Sequence, residues 1–405
     1  MSKKLVLVAL LLPFGCSSPE SPSTSILERD SAGIRIVENS LAAMDSAPEW
    51  VLSSEPTFKI GSLDGLEPFQ FFGVHGALLR DGVVWVLDYG SSELRAFSLD
   101  GPHLRTVGRE GEGPGEFSSA SALASLGPDT LVVWDGAQRR ISFFDDSGSF
   151  LRSVTIGSDT RSPDFISPLD DGSFFFSDLR VTFPSTNEVE AMPIHLFRFD
   201  PEGILTDSLG VFPWAWMKRV ENPLDFAPIS FTSMAFFSGD QETLWLGTGE
   251  ELEIQERAPD GTLVRVVRWE APDRTIRQED VDEMYAQQLA DASSEDARQR
   301  IQQRQSQVPS AEKFPALADL EVDRVGRLWV KDFKASRAKD VDRWMVFDRD
   351  GAIMARVSVR TGFWPMEFGE DYVLGFIRGE YDEEYVVIYD ILAGEGNPPN
   401  QRPPT

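Results

Sequence analysis

Catalysis needs side chains that can hold a metal, move a proton or attack, and this sequence is sparing with them. It holds three histidines, His75, His103 and His195, and one cysteine, Cys16. No two of the histidines stand at a metal-ligand spacing. No G-x-S-x-G nucleophile elbow is present. Paired acids occur at Asp145-Asp146, Asp170-Asp171 and Glu383-Glu384. Each pair falls in a predicted turn, where solvated carboxylates are expected. No catalytic residue, metal ligand or cofactor is assigned, and calcium at an axial acidic site has no support in the spacing. His75 falls on a predicted inner strand, where a single histidine is more often packed or hydrogen-bonded than reactive.

What remains is binding chemistry. Cations collect in the long loops of an otherwise acidic chain: Arg109, Arg180, Lys218, Arg219, Lys334, Arg337 and Lys339. Trp214 and Trp216 stand beside two of them. Cations next to aromatic platforms suit an anionic or carbohydrate-like ligand. Solvated surface charge, with both tryptophans packed under a helical hairpin, explains the same residues. The candidate ligand-binding residues are Arg109, Arg180, Trp214, Trp216, Lys218, Arg219 and Arg337. The Gly-rich stretch GREGEGPGEF (108–117) reads as structural. A phosphate cradle needs a strand-to-helix transition, whereas this loop runs strand to strand and carries Glu110, Glu112 and Glu116. Its glycines permit positive φ, and Phe117 is expected to plug into the next unit.

The elements that must position these residues form a repeat. Leu94, Phe97, Gly101 and Leu104 match Ile141, Phe144, Gly148 and Leu151 at the same spacing. Weaker copies follow at Leu196, Phe199, Gly203 and Thr206; at Ile254, Arg257, Gly261 and Val264; and at Trp344, Phe347, Gly351 and Met354. Asp88 and Asp135 recur thirteen residues before their glycines and read as turn caps. A β-rich run precedes each glycine, and a last run, YVVIYD, lacks a matching turn. Short apolar runs bounded by Asp-Gly indicate strands and tight hairpins. A β repeat at this period indicates a closed array. The expected fold is all-β: a six-bladed β-propeller of four-stranded blades. The strand Gly33 to Asn39 is expected to complete the last blade, and the first inner strand to cover Gln70 to Leu79. One helical hairpin, about residues 275–306, is inserted, with Thr275 and Gln278 as a capping box and a second helix from Ser294.

In such blades, loops joining second to third strands share a face with loops joining blade to blade. Every long insertion falls in that class, and the opposite face carries short Asp-Gly hairpins. Function sits on variable loops held by a rigid scaffold, so the elaborated face is the expected binding face.

The string VGREGEGPGEF, followed by a second copy, resembles the six-bladed β-propeller lipoproteins of Gram-negative bacteria, relatives of the NHL and TolB-like propellers. The resemblance covers most of residues 33–392. It implies fold and location more firmly than activity. Some six-bladed relatives are lactonases or lyases that place metal-binding Glu, Asp, Asn or His around the channel, and no such set can be matched here.

The termini and charge complete the picture. Lys3 and Lys4 precede an apolar run, Leu5 to Phe14, too short to span a bilayer. It ends at Gly15-Cys16, so residues 1–15 are read as a signal peptide and Cys16 as the lipidated residue. Pro13 and Phe14 depart from the usual lipobox, and Ser17 suits outer-membrane sorting. Residues 16–32 are the expected tether, 33–393 the propeller and 394–405 a disordered tail. The formal charge of -28 argues against nucleic acid and anionic lipid surfaces as partners. The expected protein is a monomeric, envelope-anchored scaffold touching membrane only through its lipid. Its elaborated face would bind a small molecule, a glycan or an envelope protein. A metal-dependent lyase or lactonase at the channel mouth is the alternative.

Overall fold

A computed structural model describes residues 26–181, 187–220, 226–334 and 341–393. Cys16, Arg337, Lys339, the leader and the tail lie outside them. Among the described residues the strands form five hydrogen-bonded sheets. Sheet A contains Val74–Arg80, Val83–Asp88, Glu93–Ser98 and His103–Val107. Sheet B contains Ala120–Leu126, Thr130–Asp135, Arg140–Asp145 and Phe150–Thr155. Sheet C runs from Pro163–Pro168 through Phe174–Leu179 to the long ribbon Val189–Phe199 and Leu205–Arg219, edged by Phe226–Pro228. Sheet D starts with Phe236–Gly239 and ends its antiparallel part with Leu263–Trp269. Sheet E has nine strands, eight of them on a path from Asp319–Val322 to Phe363–Phe368 and the ninth, Phe58–Ile60, beside it. The first strands of successive sheets stand side by side around one axis, which makes this a β-propeller-type fold.

The sequence dictates these hairpins locally. Asp81 and Gly82 both sit at positive φ, 45° and 76°, as a two-residue type I′ hairpin requires. Three of the repeat glycines have a second constraint. A Cβ on Gly148, Gly203 or Gly351 would lie 2.4–2.5 Å from Val107, Thr155 or Val267, each on the fourth strand, counted from the axis, of the preceding sheet. At these three positions the glycine that turns one sheet also makes room for the preceding one. Trp85 and Trp134 are fully buried between neighbouring sheets, and Trp329 and Trp344 between the two halves of sheet E.

Closure differs from expectation. Ile34–Asn39 does not complete the last sheet; it pairs parallel with Leu263–Trp269 at the edge of sheet D. Asn39 fixes it there. Its side-chain amide donates to the carbonyls of Arg268 (3.0 Å) and Gly351 (2.9 Å), and its oxygen accepts from the Ile353 N–H (2.8 Å). The strand Ile26–Ser31 then pairs with Ile34–Asn39, so that part of the expected tether is ordered sheet. The outer strand beside Glu384–Ala393 is instead Phe58–Ile60. Glu49–Leu52 bridges both halves of sheet E, parallel to Ile353–Arg360 and antiparallel to Glu384–Ala393. The first inner strand begins only at Val74, because Pro68 sits in a 3-10 turn, Glu67–Phe69, and Gly73 takes φ 141°.

Two helices, Gln278–Ala290 and Glu295–Gln307, lie between sheets D and E. The first cap is two residues later than Thr275: Arg277 is the N-cap and Asp280 accepts its N–H at 2.7 Å. Ser294 caps the second by accepting from the Ala297 N–H. Tyr285 is the one buried residue of the pair of helices. Its hydroxyl lies 3.0 Å from Ser230 Oγ in the loop entering sheet D. Tyr285→Phe is expected to cost about 1 kcal/mol, the net value of one buried hydrogen bond. Equilibrium urea unfolding measures it, and an unchanged midpoint would show that the hydroxyl contributes nothing.

Candidate functional site

The axis holds the clearest concavity. A cavity of about 840 Å³ opens where the first-to-second-strand hairpins converge. Its wall includes Leu78 and Arg80 of sheet A, Leu123 and Ser125 of sheet B, Ser167 and Pro168 of sheet C, Gly239 of sheet D, and Val322, Met366 and Glu367 of sheet E. Every sheet therefore contributes an inner strand. The mouth lies on the short-hairpin face, opposite the insertions.

A side chain bridges that mouth. Gln241, in the Asp240–Thr243 turn of sheet D, accepts the Gly127 N–H at 3.3 Å and donates to the Ser125 carbonyl at 3.5 Å, both in sheet B. Its backbone carbonyl accepts the Asp170 N–H of sheet C. Arg80 is buried and spends its donors on Ser125 Oγ and the Thr130 and Gly127 carbonyls. Arg324 pairs with Glu367 at 3.0 Å, and Glu367 also accepts from the Tyr372 hydroxyl and the Leu79 N–H. Burial outweighs these donors and leaves the Glu367 carboxyl above its usual value. Ser167 is only 4% exposed, and its Oγ has no hydrogen-bond partner although it lines the cavity.

Deeper along the axis, Asp319 and Glu321 alternate with Leu320, which is buried in the core. Both carboxylates therefore project to the other face of this inner strand, into the lumen. Glu321 keeps solvent-accessible surface on that face, yet the protein around it strips its carboxyl of most bulk solvent. Desolvation first, and the Asp319 charge second, push its carboxyl up to about 8. Ser238 Oγ donates to it at 3.1 Å. Asp319, and Asp164 on the inner strand of sheet C, are also raised by burial. Among the described residues no group of three or more His, Cys, Asp or Glu could hold a metal ion.

The sequence-predicted site residues stand elsewhere, on the elaborated face. Arg109 lies in the loop between sheets A and B and pairs with Glu116 at 2.5 Å. Arg180 pairs with Asp178 at 3.2 Å and stands over the Phe197 ring at 5.8 Å. Trp214, Trp216, Lys218 and Arg219 share the last strand of the sheet C ribbon. Trp216 donates its indole N–H to Glu250 at 2.6 Å, and Lys218 donates to the Asn187 carbonyl. Trp214 packs against the Met192, Ala215 and Met217 cluster, and Arg219 is exposed. The ribbon brings these four together; Arg109 belongs to another sheet, and none of them lines the axial cavity. Lys334 stands 3.6 Å from Asp342. His75 is exposed and stacks on Tyr89 at 4.6 Å. Phe117 is fully buried against Phe144, as its plugging role requires, and Arg140 ties the loop by donating to the Glu112, Gly113 and Glu116 carbonyls.

The axial residues were missed because each looks ordinary in its own run. One signal was present: in DLEV (319–322), acids at i and i+2 precede a core run, which places two carboxylates on one face of an inner strand.

No family model and no curated protein matches the chain. Solved structures do. A gluconolactonase from Xanthomonas campestris aligns at 16% identity and TM-score 0.41, over 85% of this chain and 98% of that one. A virginiamycin B lyase from Staphylococcus aureus aligns at 11% identity and TM-score 0.40, over 82% and 98%. A member of the DUF4221 family from Bacteroides vulgatus aligns at 9% identity and TM-score 0.50, over 86% of this chain and all of that one. This last likeness speaks of the fold alone, and it agrees with the β-propeller-type arrangement of the sheets.

Proposed function

We propose that the chain is a six-bladed propeller lipoprotein, similar to NHL and TolB-like propellers, that binds a small polar ligand without transforming it. Sheet E counts as two blades joined by Glu49–Leu52, which gives the sixth. Cys16 is the lipid anchor, and the outer membrane is the proposed location. The observation that carries the reading is the axial cavity of about 840 Å³, walled by inner strands of every sheet. That volume lies within the range of small-molecule sites, roughly 300–1,000 Å³. The elaborated face has a separate proposed role as a docking surface for an envelope protein, through Arg109, Arg180, Trp214, Trp216, Lys218, Arg219 and Arg337. The long ribbon that groups four of them supports this.

The test is a thermal-shift screen of the full chain in mild detergent, with sugars, amines, short peptides and divalent metals. A ligand that binds only the folded chain raises the melting temperature. The expected result is a shift with a metal-free polar compound that is recovered unchanged and that no longer shifts Gln241→Ala. A chelator-sensitive shift with conversion of the compound would overturn this reading in favour of the metal-dependent lyase or lactonase.

A further inference from the structure

The axial cavity has a sign as well as a shape. Seven carboxylates line it against four guanidiniums. The guanidiniums are already committed. Arg80 and Arg324 hold the partners named above. Arg265 lies 3.0 Å from Glu256 and also donates to the Arg349 carbonyl, and Arg349 donates to the Val325 carbonyl. Asp81, Asp170 and Glu242 stand exposed at the rim, and Asp319 and Glu321 continue the acidic lining below. Low-dielectric walls focus such a field on the axis.

Ser167 points independently to a ligand. Its Oγ is buried, lines this cavity and meets no partner in the protein. A hydroxyl oxygen can accept a hydrogen bond from an ammonium group. A bare metal ion fits poorly, since no three suitable ligands converge among the described residues, and the cavity is far larger than one ion. We propose that the axial cavity binds a small organic cation carrying two or more ammonium groups, of linear polyamine type. The rim carboxylates would hold the outer ammonium group and Ser167 would accept from an inner one. The inference rests on the axial cavity being the binding site.

Titration calorimetry on the full chain in detergent tests it, with spermidine, putrescine, glucose and calcium chloride as probes at two salt concentrations. Two doubly charge-reversed variants change the net charge equally. Asp170→Lys with Glu242→Lys alters the rim, and Glu295→Lys with Asp296→Lys alters an exposed helix start. The expected result is saturable spermidine binding, tighter than putrescine, weakened at least tenfold by the rim variant and less than twofold by the helix variant. Ser167→Ala should weaken it a few-fold with no loss of melting temperature. Equal weakening by both charge variants would mean diffuse counter-ion attraction and overturn the proposal, as would silence with both amines. Glucose binding that Gln241→Ala abolishes, without amine binding, would overturn the cation chemistry and leave the axial site standing.

Discussion

Asp135→Ala is expected to lower stability by about 3 kcal/mol, more than any other single carboxylate truncation in sheet B. The side chain is buried at the end of the second strand. One oxygen accepts the Ser118 and Ser119 N–H groups at 2.6 and 3.0 Å, and the other accepts the Gln138 N–H at 3.0 Å. It thereby ties the loop that enters the sheet to the turn that leaves its second strand. Alanine strands three donors. Each buried, unsatisfied donor costs about 1–3 kcal/mol, and water can reach this half-buried loop, so the total falls well below the simple sum. Asn keeps one acceptor and should lose roughly half as much. The device recurs: Asp88 accepts the Phe72 N–H at 2.8 Å, and Asp178 accepts the Ser162 and Arg161 N–H groups at 2.8 and 3.2 Å. Burial alone would raise the Asp178 carboxyl, but these donors and Arg180 hold it below the usual range. Denaturant midpoints of Asp88→Ala, Asp135→Ala and Asp178→Ala should fall together, while exposed Asp129→Ala stays at wild type. Loss no greater than that of Asp129→Ala would refute the tie.

That aspartate shows how much of the fold was legible. Its recurrence at a fixed distance from a glycine is a local pattern, and the structure makes it a local device. The glycines were readable for the same reason, since positive φ and close packing both select the residue without a side chain. The closure was not. Ile34–Asn39 has a clear strand pattern, but a strand pattern does not name the edge it joins. Three side-chain hydrogen bonds of Asn39 decide that, to residues more than two hundred positions away. Phe58–Ile60, which does complete the last sheet, is three residues long and leaves no periodicity to read. The candidate site followed the same division. The insertions were visible as long polar loops and drew attention to their face. The axial cavity is assembled from one or two residues per inner strand, so no window of sequence contains it. Residues of the elaborated face are held by partners that sequence distance also hides, such as Glu250 for the indole of Trp216 and the Asn187 carbonyl for Lys218.

Glu321→Gln should stabilise the protein at pH 8–9 and leave it nearly unchanged at pH 5. The carboxyl titrates at about 8 in the folded chain, because desolvation and then Asp319 oppose its charge, and near 4.3 in an unfolded one. Between those values the folded state holds a proton that the unfolded state has released. Stability from this group is therefore fully present below the unfolded value and is lost as the pH rises towards 8. Glutamine stays neutral, keeps an acceptor for Ser238 and removes that loss. The full shift would be worth several kcal/mol, but the side chain is exposed to solvent, which screens its charge. A gain of about 1–2 kcal/mol at high pH is the discounted expectation. Asp319→Asn should act in the same direction by removing the second cause. Thermal unfolding of wild type and both variants from pH 5 to 9 gives the comparison: the curves should meet at low pH and separate as it rises. Variants less stable than wild type at pH 9 would mean that ionised Glu321 is stabilised by a cation on the axis. Repeating the pH 9 measurement with spermidine then separates the two cases, because a bound polyamine should raise the melting temperature of wild type more than that of Glu321→Gln.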